Sequence, residues 1–313
     1  MFKNLTIYRI ASGWAPALEA MESALMADQF VPCGATQDKS VGWVPPRGNE
    51  HDAMVEAIDG QRIMKLRIET KSVPGATVRE KAQAEADHIE ATTGRKPGKK
   101  QMKELREDAY LALLPQAFPK QSSVLVWIDP AAGLLMTDAS SQGKLDELVT
   151  ALVNAFNDLS LVLLQTTMTP QCAITQWLAS QEVSDELYVD HGFIIERACE
   201  LRSADEEKSV VKFNRHSIQT EEVRKHITEG KLPKWTAMSW EGRVGFVLDD
   251  CMRLKKIAFL EGVFDDRADD SESGFDADVA LATGELRKLI PALIGALGGE
   301  FQPAPALNPA PTT

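Results

Sequence analysis

Residues Gln61–Lys71 alternate strictly between two chemistries, with Met64, Leu66 and Ile68 on one side of an extended chain and Lys65, Arg67, Glu69 and Lys71 on the other. Successive side chains of a strand point to opposite faces, so a period of two commits this segment to a β-strand with one buried and one mostly basic face. Directly after it the period becomes helical. Residues 77–91 and 99–114 read as two helices separated by Gly94-Arg95-Lys96-Pro97-Gly98, whose glycines and proline halt regular structure. The result is a helical hairpin following a strand. In the second helix Met102, Leu105, Ala109 and Leu113 share one face, and Lys99, Lys103 and Arg106 follow at i, i+4 and i+7 on an adjacent one. For an arbitrary protein such a stripe is a solvated helix surface, because charged outer faces are the norm.

The remaining sequence alternates strands and helices. Asn4–Ile10 reads as a strand and residues 16–26 as a helix; residues 41–46, with a double proline, can only be an edge or a loop. Residues 122–129 and 134–138 form a hairpin, followed by a helix over 144–159 and a strand over 161–165. Beyond a helix over 170–179, strands are expected near 193–201, 209–218, 236–238, 243–249 and 254–259, with a helix at 220–229. A last helix over 276–297 should kink at Pro291 and stop at Gly298-Gly299. The expectation is an α+β fold with mixed sheets: a central α/β part from residues 1–72 and 122–166, a helical-hairpin tip at 73–121, an antiparallel β plus helix part at 167–301, and a free proline-rich tail at 302–313.

Composition limits the function. Four cysteines, Cys33, Cys172, Cys199 and Cys251, stand far apart without a CxxC pair, which disfavours zinc and disulfides and fits a reduced, cytoplasmic setting. No apolar run approaches the length of a membrane span. A net charge of −12 argues against an anionic partner, but the charge is segregated. Residues 61–120 hold thirteen Lys or Arg against eight Asp or Glu, residues 212–256 hold ten against six, and residues 261–278 hold eight acids and only Arg267. Local basic surface is therefore compatible with an acidic chain.

Signatures of catalysis are missing: GxxxxGK[ST], HExxH, GxSxG and GxGxxG do not occur, and the five histidines are scattered. The acid pairs Asp249-Asp250, Asp265-Asp266 and Asp269-Asp270 lack the spacing that wraps a calcium ion, and solvated acidic surface is the better reading. The tryptophans, Trp43, Trp127 and Trp177 among them, sit in apolar runs and read as core.

Several short strings together resemble the RdgC family: Phe2-Lys3-Asn4-Leu5 with Tyr8-Arg9, Pro32-Cys33-Gly34, Gly42-Trp43-Val44-Pro45-Pro46, Leu113-Leu114-Pro115 with Ala117-Phe118, Trp127-Ile128-Asp129, and Thr283-Gly284-Glu285-Leu286 through Leu297-Gly298-Gly299-Glu300. The resemblance implies a non-catalytic, nucleoid-associated protein without cofactor or metal. Its horseshoe-shaped monomers would pair as a ring-shaped homodimer around double-stranded DNA, bind without sequence preference and restrain RecA. It also implies DNA-contact roles for Lys65, Arg67, Lys71, Arg95, Lys96, Lys99, Lys100, Lys103, Arg106, Lys120, Lys212 and Arg215, and a dimer-gate role for Phe118. Gln116 and Asn214 depart from the family pattern, which has basic residues there. Two competing readings remain: an acidic scaffold that contacts a recombination protein such as RecA through residues 261–278, and a hydrolase whose site assembles only in space.

Overall fold

The computed structural model describes residues 2–48, 52–180, 187–205, 208–218, 220–260 and 273–301. The proline-rich run 302–313 and the acids Asp265, Asp266, Asp269 and Asp270 lie outside the described residues. In chain order the elements are β1 (Asn4–Ile10), α1 (Leu18–Ala27), β2 (Lys39–Val44), β3 (Glu56–Ile58), β4 (Gln61–Lys71), α2 (Gly75–Thr93), α3 (Lys99–Leu113), β5 (Pro119–Asp129), β6 (Leu134–Thr137) and α4 (Gln142–Ala155). They continue with β7 (Leu161–Leu163), α5 (Pro170–Ala179), β8 (Leu187–Val189), β9 (Phe193–Ser203), β10 (Val210–Asn214), α6 (Glu221–Thr228), β11 (Lys231–Trp240), β12 (Val244–Asp249), β13 (Leu254–Phe259) and α7 (Ser273–Ala296).

Thirteen strands form one sheet in the order β10-β9-β11-β12-β13-β1-β6-β5-β4-β2, with β3 on β4, β7 on β1 and β8 on β9. Every ladder between these strands is antiparallel, so the fold is α+β but its sheet is not mixed. The physical reason is connectivity: half of the neighbouring pairs are joined as hairpins, and no helix returns the chain to a parallel neighbour. β1 holds the two halves together, since Asn4 and Leu5 pair with β13 while Thr6 to Arg9 pair with β6. Short strands β3 and β8 carry no periodic signal at three residues each and were not legible in the sequence.

The alternation of β4 splits the apolar residues between two cores. Met64, Leu66 and Ile68 pack with Val124 and Val126 of β5 beneath Met21 and Leu25 of α1 and Leu145, Leu148 and Leu152 of α4. On the other face Ile63 and Trp127 join a second core with Leu5, Ile7, the β9–β13 strands and α7. α7 continues past Pro291, where a kink was expected, and ends at Gly298 and Gly299, both at positive φ. Ion pairs fasten it on both sides: Arg287 to Asp129 of β5 at 2.8 Å, and Arg243 to both Glu285 oxygens at 2.7 Å, which holds the Glu285 carboxyl below its usual range.

β2, which stops just before the double proline, is an edge strand of the sheet, and residues 28–30 cross its outer side. The Phe30 amide donates to the Trp43 carbonyl at 2.9 Å and the Trp43 amide to the Asp28 carbonyl at 3.0 Å. That crossing is close enough to require glycine at position 42, where an added Cβ would sit 2.4 Å from Phe30 Cα and 2.6 Å from its nitrogen. Gly42→Ala is expected to destabilise the protein by roughly 1–3 kcal/mol, as backbone overpacking does, with an unchanged denaturant slope. A urea midpoint equal to wild type would show that the segment yields without cost.

Candidate nucleic-acid interface

The helical hairpin forms as its sequence predicts. Gly94 closes α2 in the left-handed conformation at φ 69°, and Gly98 precedes α3 in an extended one. Only small residues, Ala82, Ala86 and Ala109, are fully buried in the seam between α2 and α3, so the two helices approach closely and leave long side chains outside. Arg95, Lys96, Lys99, Lys100, Lys103 and Arg106 are all exposed. Lys96 lies 3.7 Å from Glu90 and Lys103 3.6 Å from Glu107, both solvent-exposed pairs that contribute little. Among the described residues, Arg95, Lys99, Lys100 and Arg106 have no carboxylate within ion-pair distance. The hairpin thus presents a cationic end whose charge is not internally neutralised.

Strand β4 distributes its charges less evenly than the alternation suggests. Lys65, Arg67 and Lys71 are half-buried on one face, but Glu69 between them is buried, accepting from the Cys33 amide at 2.8 Å and the Gln121 side chain at 2.6 Å. Those bonds hold its carboxyl below the usual range. Arg67 lies over the Phe30 ring at 5.5 Å and the Lys71 ammonium donates to the Gly34 carbonyl at 2.8 Å. Lys120 pairs with Thr70 across the β4–β5 ladder, so by strand alternation it belongs to the opposite sheet face from Lys65, Arg67 and Lys71. The sequence could not place it, because the face of Lys120 depends on the register between two strands separated by the whole hairpin.

The two cations of the second half sit together only in part. Lys212 of β10 is engaged with buried Glu200 at 3.1 Å, a carboxylate that also accepts from the Trp235 indole at 3.1 Å and Arg202 at 3.2 Å. Arg215, at a positive φ of 54°, is exposed and lines a groove with Arg197. Arg197 escaped the sequence reading; the β9–β10 ladder, with Asn214 opposite Ala198 and the His216 amide donating to the Arg197 carbonyl at 3.3 Å, brings it beside Arg215. Phe118, in the connection from α3 to β5, is 92% exposed, an extreme value for a phenylalanine.

The one group of potential metal ligands among the described residues is Asp249, Asp250 and Cys251. Its carboxylates are engaged by lysines, Asp249 with Lys255 at 2.8 Å and Asp250 with Lys234 at 2.6 Å. Burial pushes the Cys199 thiol up to about 12 and raises Cys33 and Cys251 as well, the opposite of an activated nucleophile. All four cysteines are free, and no described helix is long and apolar enough to cross a membrane.

An antiparallel α+β protein with a projecting cationic hairpin is the class these features define. The family described as "Putative exonuclease, RdgC" matches residues 1–300. The "Recombination-associated protein RdgC" of Herminiimonas arsenicoxydans is 39% identical over 302 residues, covering 96% of this chain and 98% of that protein. Its namesake in Dechloromonas aromatica (strain RCB) is 37% identical over 305 residues, with 96% and 98% covered. This chain belongs to the RdgC family.

Proposed function

We propose that this protein binds double-stranded DNA without sequence preference, as a homodimer that closes into a ring around it, and modulates recombination by limiting the access of RecA to the DNA it occupies. The single observation that carries the reading is the hairpin end, where six exposed cations, four of them without a carboxylate in ion-pair distance among the described residues, gather on a pair of helices in a chain of net charge −12. Phosphate neutralisation by such groups is sequence-independent, because phosphates contain no base information. Association with the nucleoid follows from the same contact. The names of the relatives support a place in recombination, and the exposed Phe118 ring supports a contact between subunits at the hairpin.

The family description brings a second reading, an exonuclease. A metal-assisted nuclease needs carboxylates free to hold cations, and the lysine-paired Asp249 and Asp250 do not meet that need. The protein is therefore proposed to act without chemistry, metal or cofactor.

Equal-length duplexes of shuffled sequence should bind within a few-fold of one another, with log affinity falling linearly against log salt. Closed circular duplex should be retained and lost on linearisation. A single sequence preferred by about a thousandfold would sink the reading, as would magnesium-dependent release of nucleotides from duplex ends. Binding of RecA that persists without DNA would instead favour a protein scaffold.

A further inference from the structure

We propose that the cleft between the start of β1 and the start of α4 takes a phosphodiester group of bound nucleic acid, which makes Lys3 and Lys144 contact residues. The proposal rests on the nucleic-acid reading above and extends it to residues that no periodicity connects. The cleft has a volume of about 290 Å³ and is walled by Lys3, Asn4, Ser123, Asp138, Ser141 and Lys144, with Ser140 beside them. These residues come from β1, β5, the turn after β6 and α4, and meet because β6 lies between β1 and β5 in the sheet.

Neither Lys3 nor Lys144 has a carboxylate within ion-pair distance among the described residues. Two ammonium groups on one concave wall repel unless an anion lies between them, and a concave site of one sign concentrates such an anion. Arg253, outside the lining, donates from its guanidinium to the Ser140 carbonyl at 3.0 Å and so holds the turn that forms the wall. One acid, Asp138, lines the cleft. One of its oxygens accepts from the Leu125 amide at 2.8 Å, and burial pushes its carboxyl up against the opposing effects of that bond and the Lys144 charge.

Neutral donors complete the site. Ser141 occupies the position before α4 where a serine ordinarily caps the helix, yet its hydroxyl makes no capping bond. Together with Ser123 and the Asn4 amide it can donate to tetrahedral phosphate oxygens that the lysines neutralise. Ser123 is the cross-strand partner of Arg67. Directly opposed side chains share a face, so Ser123 belongs to the face of Lys65 and Arg67, whereas α4 with Lys144 packs on the face of Met64, Leu66 and Ile68.

The test titrates dithymidine monophosphate, which contains one phosphodiester, into the full nitrogen-15-labelled chain, with inorganic phosphate in a parallel arm. Saturating shifts are expected at the amides of Asn4, Ser123, Ser141 and Lys144, and should be absent in the double variant Lys3→Gln, Lys144→Gln. In the same variant the slope of log duplex affinity against log salt should fall by about 1.8, at about 0.9 for each lost contact. Absence of localised shifts, or a wild-type slope in the variant, would overturn the proposal. Saturation by inorganic phosphate without a response to the dinucleotide would reassign the cleft to free phosphate and overturn the nucleic-acid role. If the wild-type protein fails to bind duplex at all, the function proposed above falls, and the dinucleotide titration alone decides the cleft.

Discussion

Replacing Lys99, Lys103 and Arg106 together by glutamate is expected to weaken duplex binding by about 500-fold or more at 0.1 M salt while the fold and dimer survive. Each phosphate contact contributes about 0.9 to the slope of log affinity against log salt, or about eightfold between 1 M and 0.1 M, and three contacts multiply to about 500-fold. Reversal adds repulsion to that loss. The fold should be spared because all three side chains are exposed and the seam of the hairpin is made by Ala82, Ala86 and Ala109. The exposed Lys103–Glu107 pair is worth only about 0.2–0.5 kcal/mol, and glutamate at position 99, in the first turn of α3, interacts favourably with the helix dipole. Circular dichroism and mass should therefore match wild type. If affinity matches as well, the stripe is an ordinary solvated helix face and the hairpin is not the DNA contact.

Phe118→Ala should leave the monomer as stable as wild type and speed dissociation from closed circular duplex by about 30-fold. An aromatic that is 92% exposed has almost no packing to lose within its own chain. Pro115 lies in the 3-10 turn Leu114–Gln116 that follows α3 and separates it from β5. If Phe118 docks on the partner subunit, its truncation removes an interface anchor worth 2 kcal/mol or more, a factor of about 30 in rate. Dimer mass should be unchanged if a second contact holds the subunits. A fall in thermal stability with unaltered dissociation would make Phe118 a residue of the fold and remove the gate from the proposal.

Much of the architecture was legible because it rests on local periodicity. The strands Asn4–Ile10 and Gln61–Lys71, the hairpin around Pro130, the paired helices and their glycine turn each satisfy their own backbone rules within a few residues. So does the exposed stripe of Lys99, Lys103 and Arg106, since helical spacing alone separates it from the packing face. What periodicity could not show was where distant segments meet. Lys120 proved to lie across the sheet from Lys71, the exposed Lys212 is paired with the buried Glu200 carboxylate, and Glu69 interrupts the cationic face from a buried position. Lys3 and Lys144 share a cleft although they are remote in the chain. The sequence by itself determined the elements, the hairpin and its charge, because propensity and alternation act over a few residues. Only the tertiary structure decided which cations share a surface, since that depends on strand order and register, which are set by long-range pairing between segments with no mark of one another in their local pattern.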